Sequence, residues 1–109
     1  MFTKYSSEGF IEKLPGVRLK TLAFGEKTLI TNLLIAKGAN IPCHNHIHEQ
    51  TGFLKSGCLE FLIDGKRIVA NPGDSWMIPG YILHGATAVE DSDVIEVFAP
   101  VREDYLPAK

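Results

Sequence analysis

Three of the four histidines in this chain lie within residues 44–50, His-Asn-His-Ile-His-Glu-Gln, and the fourth is His84. Imidazole is the commonest protein ligand for borderline transition metals. Alternate side chains of an extended strand share a face, so His44, His46 and Gln50 should converge. His84 would then join them from a different strand. These four residues are our candidate metal ligands, and a closed barrel would bring them together.

Three neighbouring residues are weaker candidates. His48 has the same parity as the ligands, but it lies in a segment that is expected to curve away from the lumen of the barrel. Glu49 has the opposite parity and is expected to be a solvated carboxylate. Cys43 should face away from His44, and its distance in sequence from Cys58 lacks the close spacing of a CxxC site. Both cysteines are expected to be free thiols.

The donor set predicts the chemistry of the metal ion more clearly than its identity. Three neutral imidazoles and a neutral amide leave a divalent ion with its full double charge. Such an ion attracts an anionic oxygen ligand and polarises it as a Lewis acid. We therefore expect one divalent transition metal, with zinc, nickel, iron, manganese and copper all open at this stage.

Short runs of apolar residues cut by turns predict an almost entirely β structure, since no window has the spacing of an amphipathic helix. Strands are expected at 17–24 and 28–36, and a hairpin of 59–63 with 66–70 around Asp64-Gly65. Residues 71–74, Asn-Pro-Gly-Asp, predict a further turn. Strands of this length and spacing favour a sandwich or jelly roll.

The segment 28–36 is apolar on both faces, which suits a strand that is buried on both sides. This pattern favours a homodimer formed sheet to sheet. Residues 1–16 and 100–109 are less regular. They are expected to wrap the barrel or to cross to a second subunit.

The chain of 109 residues and 12.0 kDa predicts a single domain spanning 1–109. Its net charge of -2 with interspersed charges provides no basic stripe, so we expect no nucleic-acid partner. No apolar run is long enough for a signal peptide or a membrane span. We therefore expect a cytoplasmic protein without a membrane partner.

Two segments resemble the paired motifs of the cupins. Gly38-x5-His44-x-His46-x3-Gln50-x6-Gly57 resembles the first motif (38–57), with Gln50 in place of the usual Glu. Gly73-x5-Pro79 followed by His84 resembles the second motif (73–88). The resemblance implies the double-stranded β-helix of the cupins, a jelly-roll barrel with the metal inside. Tyr81 and Ala88 replace the usual Gly and Asn of the second motif, and Gly80 is expected to serve the turn instead of Tyr81.

From about residue 38 to 106 the chain resembles a small single-domain cupin group, the pectin degradation proteins. The segments that carry this resemblance are 44–50, 73–76, 78–80, 84–86 and 97–106. It implies linearisation of unsaturated uronates and the metal ligands His44, His46, Gln50 and His84. Three further functional positions of the family fall on Glu96, Phe98 and Arg102, and the first of these is Asp in the family.

Glu96 is notable without any family, because a carboxylate within the apolar run 94–98 is expected to be paired or functional. We expect Glu96 to shuttle a proton, Phe98 to form an apolar wall beside it, and Arg102 to bind a substrate carboxylate. Each residue also has a plainer interpretation. Glu96 could face outward, Phe98 could be ordinary core, and Arg102 could form a salt bridge with Glu103 or Asp104.

The leading functional hypothesis is a metal-dependent enzyme that opens or tautomerises an anionic sugar acid. An iron-dependent oxygenase is the first alternative, since cupin sites with three histidines can also activate oxygen. A non-catalytic cupin that binds a sugar acid is the second. In all three, the partner is a small molecule.

Overall fold

The structure is a computed structural model that describes residues 1–107. It contains eight strands and one short 3₁₀ helix at Glu103–Tyr105. The all-β prediction is therefore confirmed. The strands are β1 (Ile11–Leu14), β2 (Val17–Phe24), β3 (Leu29–Ile35), β4 (Asn40–His44), β5 (Glu49–Ile63), β6 (Lys66–Ala70), β7 (Ser75–Ile78) and β8 (His84–Ala99).

The two long strands β5 and β8 pair antiparallel along nearly their whole length and lie at the centre of one eight-stranded sheet. The second half of β8 pairs with β3 and with the start of β5, which also pairs with β7. The first half of β8 pairs with β4 and with the end of β5, which also pairs with β6. Register shifts between Leu54 and Leu59 interrupt the pairing where one half gives way to the other. The result is a jelly roll in which strands of 15 and 16 residues replace the short strands that the sequence suggested.

Both predicted turns are present. Asp64 and Gly65 have φ of 50° and 78°, the positive values that a two-residue hairpin turn requires, and Ile63 pairs with Lys66 across it. In the second turn, the N–H of Asp74 donates to the carbonyl of Asn71 at 2.9 Å. These turns direct β6 and β7 back along β5.

β3 alternates between the core and the outer surface of the sheet. Leu29, Leu33 and Ile35 are buried, whereas Ile30 and Leu34 on the other face are half-buried. In the single chain the outer face is only partly covered, so the prediction that both faces are buried depends on a second copy and stays a prediction. The inner face belongs to a core cluster of Val17, Leu19, Leu33, Ile35, Leu54, Leu59, Phe61, Ala70, Ala88 and Val94.

The segment after β8 lies across one end of its own barrel. The hydroxyl of Thr21 donates to the carbonyl of Tyr105, and the ring of Tyr105 lies 5.4 Å from that of Phe98 between centroids. Through these contacts, the residues that follow β8 cover the side of the core on which Phe98 lies.

Within residues 1–107, no helix has the length and apolarity needed to cross a membrane.

Candidate metal centre

Three histidines meet at one end of the barrel, and one ring nitrogen from each lies within 4.8 Å of the others. His44 ends β4 and His84 begins β8, and the two pair directly in register. His46 lies in the loop between β4 and β5. The expectation that His44 and His46 alternate along one strand was wrong, because β4 ends at His44. The loop, and not strand parity, brings His46 to the other two rings.

The loop that carries His46 is fixed by the turn before β8. The N–H of Tyr81 donates to the carbonyl of His46 at 2.7 Å, and a Cβ on Gly80 would lie 2.4 Å from the carbonyl oxygen of Ile47. Tyr81 itself has φ of 68°. The expectation that Gly80 serves the turn in place of Tyr81 was therefore wrong. Gly80 is needed because the turn passes close to the backbone of the loop at Ile47, and Tyr81 takes the left-handed conformation.

Each of the three rings has its Nδ1 fixed by a backbone carbonyl two residues away in sequence. The distances from Nδ1 to carbonyl oxygen are 2.9 Å for His44 with Pro42, 2.9 Å for His46 with His48, and 2.8 Å for His84 with Ile82. A carbonyl can only accept, so Nδ1 carries the proton and Nε2 keeps its lone pair. Such bonds orient metal-binding histidines. They leave three Nε2 lone pairs available for one ion.

Gln50 supplies a fourth neutral donor. Its Oε1 lies 2.9 Å from Nε2 of His46. Burial lowers the pKa of His46, as do the charges of Arg102 and His84, and burial also lowers the pKa of His84. A neutral His46 that donates from Nδ1 has no proton left for Gln50, so two lone pairs face each other. A cation beside both atoms removes this conflict.

The residues present therefore fit a divalent transition metal held by His44, His46 and His84, with Gln50 beside them. His48 is outside this group. Its ring centroid lies 5.4 Å from that of His46, and its buried Nδ1 has no hydrogen-bond partner within residues 1–107. Glu49 is exposed at the start of β5.

Glu96 faces the interior and not the solvent. Only 9% of its surface is exposed, and its Oε2 accepts hydrogen bonds from Nε2 of Gln50 at 2.6 Å and from Nε1 of Trp76 at 3.1 Å. Burial raises the pKa of Glu96 to about 7, against the opposing effects of these two bonds and of Arg102. The amide of Gln50 thus joins the carboxylate directly to the candidate metal ligands.

Phe98 and Arg102 line the same cavity as His44, His84 and Glu96. Phe98 is 3% exposed, and its ring lies 6.1 Å from that of His46. The guanidinium of Arg102 stacks 4.0 Å from the ring centroid of Tyr105 and 5.1 Å from that of Phe98. Nε and Nη2 of Arg102 donate to the carboxylate of Asp104 at 3.1 and 2.6 Å. The salt bridge considered for Arg102 is thus formed with Asp104, and no other carboxylate of residues 1–107 pairs with the guanidinium.

A cavity of about 50 Å³ connects these groups. Its walls include His44, Gln50, His84, Glu96, Phe98, Arg102 and Tyr105. Sequence reasoning assigned no role to Trp76 or Tyr105, although both lie in segments that carried the family resemblance. For Trp76 the available signal was an aromatic residue of inward parity on β7, the strand that follows the turn at 71–74. The position of Tyr105 depends on a chain reversal that no local pattern predicts.

Comparison with known proteins agrees with this fold. The family model for the cupin domain matches residues 32–99, so the chain belongs to the cupin family. It is 30% identical over 93 residues to pectin degradation protein KdgF from Dickeya dadantii, and the match covers 84% of each protein. The predicted resemblance is confirmed.

Solved structures give the same result. KdgF from a Halomonas species superposes with a TM-score of 0.91 at 30% identity, covering 97% of this chain and 98% of that one. An RmlC-like cupin from Shewanella frigidimarina has a TM-score of 0.91 at 25% identity, covering 97% of this chain and 96% of its own. The cupin barrel is therefore shown over nearly the whole chain.

Proposed function

We propose that this cupin is a metal-dependent enzyme that linearises unsaturated uronates. The observation that carries the proposal is the hydrogen bond from Gln50 to Glu96, which places a buried carboxylate next to the three-histidine centre. The similarity to KdgF, a pectin degradation protein, supports a sugar acid as the substrate class. The proposed ligands remain His44, His46, Gln50 and His84.

Ring opening of such a sugar is an isomerisation that needs proton transfer but no co-reactant. The hydroxyl on C1 loses its proton, the bond between C1 and the ring oxygen breaks, and the ring oxygen keeps the electron pair. The resulting enol becomes a ketone when a proton is added at C4. A bound metal ion would supply Lewis-acid polarisation of a substrate oxygen.

Glu96 is suited to move these protons, because a carboxyl group with a pKa of about 7 exchanges protons readily near neutral pH. Arg102 would hold the substrate carboxylate through guanidinium N–H groups that do not donate to Asp104. Phe98 would form the apolar wall between them. These three residues would bind and orient the sugar, with Glu96 as the proton carrier.

The test uses purified protein loaded in turn with zinc, nickel, manganese, iron or copper and then mixed with 4,5-unsaturated galacturonate. Loss of the ultraviolet absorbance of the conjugated double bond measures linearisation, and NMR identifies the product. We expect a rate well above the spontaneous one with at least one metal. A rate equal to the spontaneous one for every metal contradicts the proposal, and tight binding without conversion would favour a sugar-acid-binding cupin.

We also propose that the protein acts as a homodimer through the outer face of the sheet that contains β3 and β7. Cross-strand pairs Ile30–Val97 and Phe53–Ile95 form an apolar stripe on this face. Phe53 and Met77 are 45% and 54% exposed. A second copy of the same face would cover these side chains.

A further inference from the structure

Glu96 belongs to a row of cross-strand neighbours on the inner face of the barrel. Gly52 on β5 pairs in register with Trp76 on β7 and with Glu96 on β8. Trp76 and Glu96 are therefore two strands apart, with position 52 between them. The indole of Trp76 spans this gap, and its Nε1 donates to Oε2 of Glu96 at 3.1 Å.

The gap exists only because residue 52 has no side chain. A Cβ at this position would lie 2.3 Å from both Nε1 and Cε2 of Trp76 and 2.5 Å from Cζ2. These distances are far shorter than van der Waals contact, so the indole would have to move away. Phe61 packs against the indole, with 4.7 Å between ring centroids, and limits that movement.

Both hydrogen bonds to the carboxylate end on the same oxygen. Gln50 and Trp76 each donate to Oε2, whereas no residue in the described part of the chain donates to Oε1. Two donors on one oxygen fix the rotation of the carboxylate. They leave Oε1 as the oxygen that can meet a ligand in the cavity beside Glu96.

We propose that Trp76 is a positioning residue for Glu96 and Gln50, and that Gly52 provides the gap through which its indole reaches them. Without the indole N–H, the carboxylate gains rotational freedom, and the amide of Gln50 loses its fixed acceptor. Oε1 of Gln50 is then held less firmly toward the histidines. The inference deepens the proposed function, since it concerns the same Glu96 and Gln50.

Metal affinity tests the proposal without any substrate. In Trp76→Phe, which removes the donor and keeps an aromatic ring, we expect the Kd for zinc or nickel to rise about tenfold by isothermal titration calorimetry. Leu54→Val is the matched control. It truncates a fully buried core residue on β5 whose apolar side chain cannot hydrogen-bond to Glu96. This control should lower Tm with the metal Kd unchanged.

A double-mutant cycle tests the gap. Gly52→Ala should weaken metal binding to about the same extent as Trp76→Phe, because the new Cβ displaces the indole. The smaller ring of Phe lacks the atoms that this Cβ meets, so the double variant should bind metal no more weakly than either single variant. If the losses of metal affinity in the two single variants add fully in the double variant, the two residues do not act through a shared mechanism.

A spectroscopic signal tests the hydrogen bond itself. Trp76 is the only tryptophan in the chain, so the protein gives a single indole N–H signal by NMR. Glu96→Gln should shift this signal, whereas Glu60→Gln, which changes a carboxylate paired with Arg67, should not. An unshifted signal in Glu96→Gln, or a metal Kd within twofold of wild type in Trp76→Phe, would overturn the proposal. Neither measurement uses a uronate, so a lack of linearisation would refute the proposed function and leave this inference standing.

Discussion

Gln50 contacts Glu96 with one end of its amide and His46 with the other. Its Nε2 lies 2.6 Å from Oε2 of Glu96, and its Oε1 lies 2.9 Å from Nε2 of His46. The carboxylate therefore determines which end of the amide faces the histidines. A glutamate at position 50 would place two carboxylates in contact. Glutamine avoids this contact by donating to Glu96, which gives a reason for glutamine at a position where cupins usually have glutamate.

The two roles of Glu96, orientation of Gln50 and proton transfer, are separable by substitution. In Glu96→Gln the side-chain oxygen can still accept from Gln50 and Trp76, so we expect metal affinity to stay near wild type. The rate of uronate linearisation should fall by roughly 10²–10⁴ because the proton carrier is lost. Glu96→Ala removes the acceptor as well, and its metal Kd should rise about 10–100-fold. Calorimetry and the absorbance assay measure the two effects, and equal metal Kd values for the two variants would contradict the orienting role.

The raised pKa of Glu96 predicts a pH dependence of stability in protein prepared with a chelator. A folded state that binds the proton more tightly than the unfolded state is stabilised at low pH. This contribution is lost as pH rises from about 4.5 to about 7. The loss amounts to roughly 3 kcal/mol for a shift of this size.

The matched comparison is Glu96→Gln, which lacks this titration. Urea unfolding of both proteins between pH 4.5 and 7.5 should show the variant gaining stability relative to wild type as pH rises. The lowered pKa values of His46 and His84 make stability increase with pH, but they act in both proteins and largely cancel in the difference. A difference that is constant with pH would show that Glu96 titrates normally.

Gly80→Ala should weaken metal binding more than it weakens the fold. The new Cβ would lie 2.4 Å from the carbonyl oxygen of Ile47, so the loop that carries His46 must move. We expect a metal Kd at least tenfold higher, since a displaced ligand disrupts the geometry of the centre. Gly25→Ala is a suitable control, because its Cβ would meet no atom within 4 Å. Calorimetry with zinc and thermal unfolding measure both effects, and an unchanged Kd would contradict this account of the loop.

Arg102→Lys should impair substrate binding and spare the metal. Lysine cannot form the two-point contact with a carboxylate that the guanidinium provides, so the KM for unsaturated galacturonate should rise about tenfold or more. Burial and the charge of Arg102 lower the pKa values of His46 and His84, and lysine keeps that charge, so the metal Kd should stay near that of wild type. A rise in metal Kd together with KM would indicate a structural role for Arg102.

Phe53→Lys should disrupt the proposed homodimer. A charge on the exposed apolar stripe cannot be buried against a second copy without a large desolvation cost. Sedimentation velocity should show wild type as a dimer and the variant shifted toward monomer, while Lys37→Glu on an exposed turn leaves the dimer intact. A monomeric wild type would refute the proposed assembly.

The amino-acid sequence was sufficient to predict the β structure, the turns at 64–65 and 71–74, and the residue types of the candidate centre. These features depend on local patterns, namely alternation along strands, glycine and proline at turns, and histidine as a ligand. It also marked Glu96 as unusual, because a carboxylate in an apolar strand needs a partner.

Only the tertiary structure decided which partners these residues have. His46 reaches the other histidines from a loop, Trp76 crosses above Gly52 to reach Glu96, and Asp104 takes one edge of Arg102. Each relationship depends on register between distant strands or on the path of a loop. Local patterns in the sequence do not encode these long-range contacts, because the contacts form only when the whole barrel closes around its core.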